Sequence, residues 1–154
     1  MSIDDDIAFL ERVPVLQRLG TNALRIIAIG AESYSVEAEQ VLFTAGDGAD
    51  CAYVVQQGSF ALRPDIPNEP ESVAEPGALL GESALLIEAP RRETATARVD
   101  SIVLRISRAM FQKMLETNPE AAQRLRDLYA SRSERLTHDL ERVRDMLARG
   151  AGPQ

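Results

Sequence analysis

The spacing of apolar residues changes twice along this chain, and that change limits the folds open to it. Between Tyr34 and Ile106 the chain consists of short segments rich in β-branched residues, whereas both flanks have the wider spacing of amphipathic helices. Glycines separate the short segments, at positions 46, 48, 58, 77 and 81. Strands are predicted at residues 41–43, 53–55, 60–62 and 102–106. Several short strands with regular turn signals predict a roll, sandwich or barrel, so an α+β fold is expected.

The connections between the strands and the N-terminal flank carry further predictions. Gln57-Gly58 stands between two strand segments and predicts a hairpin turn. Residues 63–76 contain four prolines and four acidic residues, which favour a surface loop with one edge strand around residues 72–74. Residues 4–30 predict a helical segment that Pro14 interrupts. Thr21 or Asn22 is the expected cap of its second piece.

The C-terminal flank predicts two helices. Ser107 is the expected N-cap of a helix over residues 108–115. A second helix is expected to begin at Pro119 and to continue to residue 149. Its later apolar residues have the 4-3-4 spacing of a coiled-coil seam: Leu136, Leu140, Val143 and Leu147. Two interpretations stay open, a homodimer through residues 119–149 and a long helix lying on its own domain.

Length and charge restrict the class of protein. The 154 residues fit one domain. A single domain is expected over residues 1–150, followed by a disordered tail at 151–154. Within the domain we expect N-terminal helices at 1–30, a β core at 31–106 and C-terminal helices at 107–149. A net charge of −7 opposes binding to nucleic acid or to an anionic membrane. A local positive site for a small anion stays compatible with that charge.

Cysteine and histidine are too scarce for a metal centre. One cysteine, Cys51, and one histidine, His138, cannot form an internal disulfide, a zinc site or an iron–sulfur site by themselves. No metal or cofactor is therefore expected, and Cys51 is expected to be a small buried residue in a strand. The N-terminus is acidic, and no apolar run approaches the roughly eighteen residues that a membrane helix needs. A soluble cytoplasmic protein is expected.

The segment from Gly77 to Ala97 is unlike routine core sequence. If residues 83–87 form a helical turn, its first N–H groups have no internal partners and favour an anion. Arg91 follows nine residues after Glu82, and its planar guanidinium can bind two phosphate oxygens at once. The Glu82 carboxylate offers an acceptor for hydroxyl groups. Phosphate donors beside a hydroxyl acceptor suit a ribose phosphate.

This segment resembles the phosphate-binding cassette of the cyclic nucleotide-binding domain family, which includes catabolite activator proteins, regulatory subunits of protein kinase A and cyclic nucleotide-gated channels. The matching cassette residues are Gly81, Glu82, Ala84, Leu85, Pro90, Arg91 and Thr94. Upstream, the chain resembles the family signature Gly-Asp-x-x-Asp-x-x-Tyr-x-Val-x-x-Gly through Gly46, Asp47, Asp50, Tyr53, Val55 and Gly58. The resemblance covers roughly residues 8–135. It implies an eight-stranded antiparallel β-roll with helices at both ends.

The resemblance also implies roles for individual residues. Glu82 would accept a hydrogen bond from the ribose 2′-hydroxyl, and Arg91 would pair with the cyclic phosphate. The backbone amides of Ser83 and Ala84 would complete the phosphate cradle, joined by that of Arg92 or Glu93. The implied ligand-binding residues are Leu80, Gly81, Glu82, Ser83, Ala84, Arg91, Arg92 and Thr94.

The chain departs from the family pattern after the cassette arginine. Arg92 and Glu93 stand where small residues usually follow, so a one-residue shift would make Arg92 the phosphate ligand. Glu93 would place a carboxylate near the phosphate unless it points outward. In the kinases of this family, Thr directly after the cassette arginine goes with guanine preference, so Arg92 at that position favours cAMP. Tyr129 or Arg132, in the last helix, would cap the base.

The implied function is that of a non-enzymatic sensor that binds a cyclic nucleotide, cAMP more than cGMP, and closes its C-terminal helix over the ligand. The cassette offers no metal cluster or nucleophile–base pair, so hydrolysis of the nucleotide is not expected. Two alternatives remain: a ligand-free roll that serves as an interaction or dimerisation module, and the sensor portion of a transcription regulator without its DNA-binding domain. No nucleic acid or membrane is expected as a partner, and the protein partner is not named.

Overall fold

The computed structural model describes residues 3–131, which form a β-roll between helical ends. The helices are α1 (Ile3–Leu10), α2 (Thr21–Gly30), α3 (Arg108–Thr117) and α4, which is helical over residues 119–131. Two 3-10 turns are formed by Leu16–Leu19 and Glu82–Leu85. The strands are β1 (Glu32–Val36), β2 (Val41–Phe43), β3 (Gly48–Ala49), β4 (Cys51–Gln57), β5 (Phe60–Pro64), β6 (Ser72–Ala74), β7 (Leu79–Leu80), β8 (Ala89–Pro90), β9 (Glu93–Ala97) and β10 (Ser101–Ser107).

Eight of the strands form two four-stranded antiparallel sheets. One sheet has the order β1-β10-β4-β7 and the other β2-β9-β5-β6. The remaining two strands, β3 and β8, pair only with each other over two residues. The predicted α+β class and the eight-stranded antiparallel roll are therefore confirmed, and the short β3–β8 ladder is an addition to them.

One strand supplies side chains to two separate cores. Successive side chains of β4 point to opposite faces of the sheet. Val54 packs with the helices in one apolar cluster, which also contains Leu104 and Ile106 of β10. Val55 points into the roll, into a second cluster with Phe43 and Phe60. Because both faces of this sheet are covered, β4 reads as a nearly continuous apolar run, and the predicted strand segment 53–55 falls within it.

The predicted hairpin at Gln57-Gly58 is wrong. The strands on its two sides lie in different sheets, since β4 pairs with β10 and β7 whereas β5 pairs with β9 and β6. Gly58 has a φ of +87°, and a Cβ atom there would collide with Ser101. The chain therefore passes from one sheet to the other at Gly58, in close contact with Ser101. Only glycine adopts this backbone conformation without strain.

The helix ends follow the prediction in part. Neither Thr21 nor Asn22 caps α2, because the N-cap is Gly20, with a φ of +92° and no side-chain hydrogen bond. Ser107 caps α3 as predicted, and its hydroxyl accepts a hydrogen bond from the Met110 amide at 3.2 Å. Within residues 3–131, no helix combines the length and apolarity needed to cross a membrane. The predicted seam at 136–147, Arg132 and the tail at 151–154 lie outside the described residues.

Candidate functional site

Gly81 precedes the 3-10 turn at which the sequence predicts an anion site. Its φ of +71° is in the left-handed region, which favours glycine. The amide of Ala84 donates to the Gly81 carbonyl oxygen at 3.1 Å, so this amide is engaged inside the turn, contrary to the expectation that it is free. The amide of Ser83 donates to no acceptor within residues 3–131. The Ser83 amide can therefore donate to an anion at this turn.

Arg91 is buried beside this turn, with 8% of its surface exposed. Its backbone is held by the upstream signature segment: its amide donates to the Asp47 carbonyl oxygen at 2.8 Å, and its carbonyl accepts from the Gly46 amide at 2.8 Å. Its side chain lies against Gly81, where a Cβ atom would collide with the Arg91 Nη1 atom. The two sequence motifs therefore meet at Arg91.

The Arg91 guanidinium has an unusual set of neighbours for a buried cation. Nη2 donates to the Cys51 Sγ atom at 3.4 Å, and the guanidinium carbon lies 4.4 Å from the ring centroid of Phe43 and 5.7 Å from that of Tyr53. Nη1 is buried and has no hydrogen-bond partner. Within residues 3–131, every other buried side-chain nitrogen or oxygen atom has one. Buried polar groups are almost always paired, so this unpaired donor fits an anionic ligand.

The Tyr53 ring beside Arg91 is uncharged. Burial, with a hydrogen bond to Cys51 as the next cause, raises the pKa of Tyr53 to about 12. The phenol therefore carries its proton at neutral pH and adds no negative charge. Arg91 forms no ion pair within 4.0 Å among residues 3–131. The positive charge of Arg91 is thus available to an incoming anion.

The structure separates Arg91 from the two residues that follow it. Arg92 is exposed, and its carbonyl oxygen accepts from the Asp65 amide at 3.0 Å. Glu93 opens β9 opposite Pro64 and forms no ion pair with either arginine. Of the two candidate phosphate ligands, Arg91 lies against the turn and Arg92 does not.

Three other predicted site residues have defined positions. Leu80 lies on β7 opposite Tyr53 and is 3% exposed, inside the roll. The Thr94 hydroxyl accepts from the Ala45 amide at 3.0 Å and so braces the loop before the signature segment. Tyr129, in α4, donates its hydroxyl to the Glu82 Oε2 atom at 3.3 Å. Tyr129, one of the two residues predicted to cap the base, therefore contacts the predicted ribose acceptor.

Sequence reasoning missed Arg108. Its Nε atom donates to the Ala84 carbonyl oxygen at 2.7 Å, and its Nη2 atom donates to the Ala49 carbonyl oxygen. The first residue of α3 therefore fastens the turn to the β3 segment. Nothing in the sequence distinguishes this arginine from other helix-start arginines, because its partners are backbone atoms far along the chain. Phe43 was missed for a similar reason, since a buried phenylalanine in a strand predicts only core packing.

Comparisons with known proteins agree with this geometry. The family model described as a cyclic nucleotide-binding domain matches residues 34–118. A cAMP-dependent protein kinase regulatory subunit of Yarrowia lipolytica is 30% identical over 107 residues, which cover 70% of this chain but only 28% of that much longer subunit.

Two solved structures are similar over most of the described residues. A cyclic nucleotide-binding-like protein from Brucella abortus superposes with a TM-score of 0.64 at 38% identity, and the match covers 73% of this chain and 99% of the other. The N-terminal domain of a transcriptional regulator from Streptomyces coelicolor superposes with a TM-score of 0.77 at 27% identity, covering 86% of this chain and 94% of the other. With the family model matching more than half of its length, this chain belongs to the cyclic nucleotide-binding domain family.

Proposed function

We propose that this chain is a regulatory sensor that binds a cyclic nucleotide without turning it over, cAMP in preference to cGMP. In this proposal Arg91 pairs with the cyclic phosphate, the Ser83 amide adds a second donor, and Glu82 accepts the ribose 2′-hydroxyl. Arg91 and the Ser83 amide would donate charge-assisted hydrogen bonds to the phosphate oxygens, and the Glu82 carboxylate would accept one from the ribose hydroxyl. This set of donors and acceptor suits a ligand with one negative charge beside a hydroxyl group.

The unpaired Nη1 atom of Arg91 is the observation that carries the proposal. A buried guanidinium nitrogen without a partner costs free energy, and an anion placed between it and the Ser83 amide would recover that cost. The family to which the chain belongs supplies the class of anion. The preference for cAMP is supported by Arg92 at the position after the cassette arginine, and by the likeness to a subunit named for cAMP dependence.

Isothermal titration of the wild type and of two matched variants tests the proposal. Arg91→Lys keeps the charge but loses the planar fork, and it is expected to weaken cAMP binding by about tenfold to a hundredfold. Arg92→Lys makes the same change at the exposed neighbouring arginine and should leave the affinity within about twofold, because a solvent-exposed charge contributes little. Thermal unfolding of all three proteins checks that they are folded.

Two results would contradict the proposal. The first is a wild type that gives no heat and no thermal shift with millimolar cAMP or cGMP, which would favour the ligand-free interaction module. The second is wild-type affinity in Arg91→Lys, which would place the phosphate away from Arg91. Tighter binding of cGMP than of cAMP would overturn only the base preference.

A further inference from the structure

The orientation of the Arg91 side chain has to be held by something other than its backbone. The backbone hydrogen bonds to Gly46 and Asp47 fix where the side chain leaves the chain. They do not fix its outer torsions, and a loose guanidinium would lose conformational entropy when it binds a phosphate. A positioned guanidinium avoids that loss.

Hydrogen bonds hold the guanidinium only weakly. Among the described residues its one side-chain hydrogen-bond partner is the Cys51 sulfur at 3.4 Å, and a thiol sulfur is a weak acceptor. Nη1 has no partner, and no carboxylate lies within 4.0 Å among residues 3–131. The usual means of fixing a buried arginine, a bidentate carboxylate, is therefore not used.

Aromatic rings take the place of that carboxylate. The guanidinium carbon lies 4.4 Å from the Phe43 ring centroid, and the Phe43 and Tyr53 rings stack at 6.0 Å with an interplanar angle of 17°. Phe43 is only 8% exposed, so little solvent screens the attraction between its ring face and the cation. The ring also restricts the plane in which the guanidinium can lie.

We propose that Phe43 is a positioning residue for Arg91, and that its ring orients the guanidinium for phosphate while leaving the charge uncompensated. A carboxylate would orient the same group but would compete with the ligand for it. The proposal rests on the proposed function, since it explains how the cation of that site is held ready.

The test compares substitutions at residue 43 that fill similar volume with and without a ring. Phe43→Leu and Phe43→Met keep an apolar side chain and are expected to weaken cAMP binding by about fivefold to thirtyfold, the range that a desolvated cation–π contact represents. Phe43→Tyr keeps the ring and should stay within about threefold of the wild type. Phe60→Leu is the matched control, because Phe60 is buried in the same cluster and forms no cation–π contact with Arg91.

A second measurement needs no nucleotide. In the ligand-free wild type, the NMR signals of the Arg91 guanidinium should show a ring-current shift that Phe43→Leu reduces to the smaller contribution of the more distant Tyr53 ring and that Phe60→Leu preserves. The absence of that shift, or wild-type affinity in Phe43→Leu and Phe43→Met, would overturn the positioning role while the proposed function stands. A wild type that binds neither cAMP nor cGMP would overturn the proposed function itself.

Discussion

Burial of the Arg91 guanidinium is the main energetic feature of the site. Removing a cation from water is costly unless it finds partners, and within residues 3–131 the side-chain partners of Arg91 are one thiol and two ring faces. Part of the desolvation cost of the guanidinium is therefore offset only when an anion binds. A ligand that binds only the folded state stabilises it by mass action, so under the proposed function nucleotide binding at Arg91 would raise the stability of the folded chain.

Gly81→Ala tests the packing between the turn and the guanidinium. An added methyl group would collide with the Arg91 Nη1 atom and displace it, so cAMP affinity is expected to fall by about tenfold or more. The φ of +71° should also cost about 1–2 kcal/mol of stability for a residue with a Cβ atom. Titration calorimetry measures the first effect and urea unfolding the second.

Gly77→Ala separates these two effects. Gly77 has a comparable φ of +96°, but a Cβ atom there would meet nothing within 4 Å. It should therefore lose similar stability and keep wild-type affinity. If Gly81→Ala binds cAMP as tightly as Gly77→Ala does, the guanidinium does not occupy the position that the structure gives it.

At the scale of the elements, Ser107 joins the roll to its C-terminal helices. It ends β10, and its hydroxyl caps α3 through the Met110 amide. Ser107→Ala is expected to lower the free energy of unfolding by about 1 kcal/mol, the usual cost of losing an N-cap. Ser107→Asp should restore most of that loss, because aspartate caps as well as serine does.

Urea unfolding followed by circular dichroism gives both values for Ser107. Equal stability of the alanine variant and the wild type would mean that the cap bond contributes nothing. Loss of the same size in the aspartate variant would point instead to crowding of this position against Cys51, its partner in the β10–β4 pairing.

The elements predicted from sequence are those with strong local signals. The longer apolar strands, the edge strand at 72–74 and the capped helix α3 were all recognised by composition and spacing. Strand β9, residues 93–97, was not, because its sequence Glu-Thr-Ala-Thr-Ala has small side chains that pack well only between β2 and β5. Gln57-Gly58 misled for the opposite reason: the local turn signal is real, but pairing with distant strands decides which sheet each strand joins.

The candidate site divides in the same way. The proximity of Arg91 to the turn after Gly81 was predicted, because the residue types and spacing of this segment resemble those of the family. The partners of Arg91 were not, since Phe43 and Cys51 approach it only through the closure of the roll. Which of Arg91 and Arg92 lies against the turn could not be read from the sequence, because only the fold shows that Arg91 is buried and Arg92 exposed in the connection between β8 and β9.

At the scale of the whole molecule, both described C-terminal helices contact the turn at 82–85. Arg108 of α3 donates to the Ala84 carbonyl, and Tyr129 of α4 donates to the Glu82 carboxylate. A ligand that changes the Glu82 environment therefore acts on α4 directly. Two positions of that helix with different ligand affinities would be enough for a switch, and linkage requires that stabilising one position changes the affinity.

Tyr129→Phe tests this coupling. The Tyr129 hydroxyl donates to Oε2 of the carboxylate that the ribose is proposed to use, so we expect the ribose hydroxyl to displace it. Removing the hydroxyl while keeping the ring should raise cAMP affinity by about twofold to tenfold, the range of one ordinary hydrogen bond. Tyr129→Leu removes the ring as well, and it should bind more weakly than Tyr129→Phe if the ring stacks on the base. Titration calorimetry on the three proteins measures these affinities. Wild-type or weaker affinity in Tyr129→Phe would show that the hydroxyl does not hold α4 against the ligand. Equal affinity in the two variants would exclude stacking of the Tyr129 ring on the base.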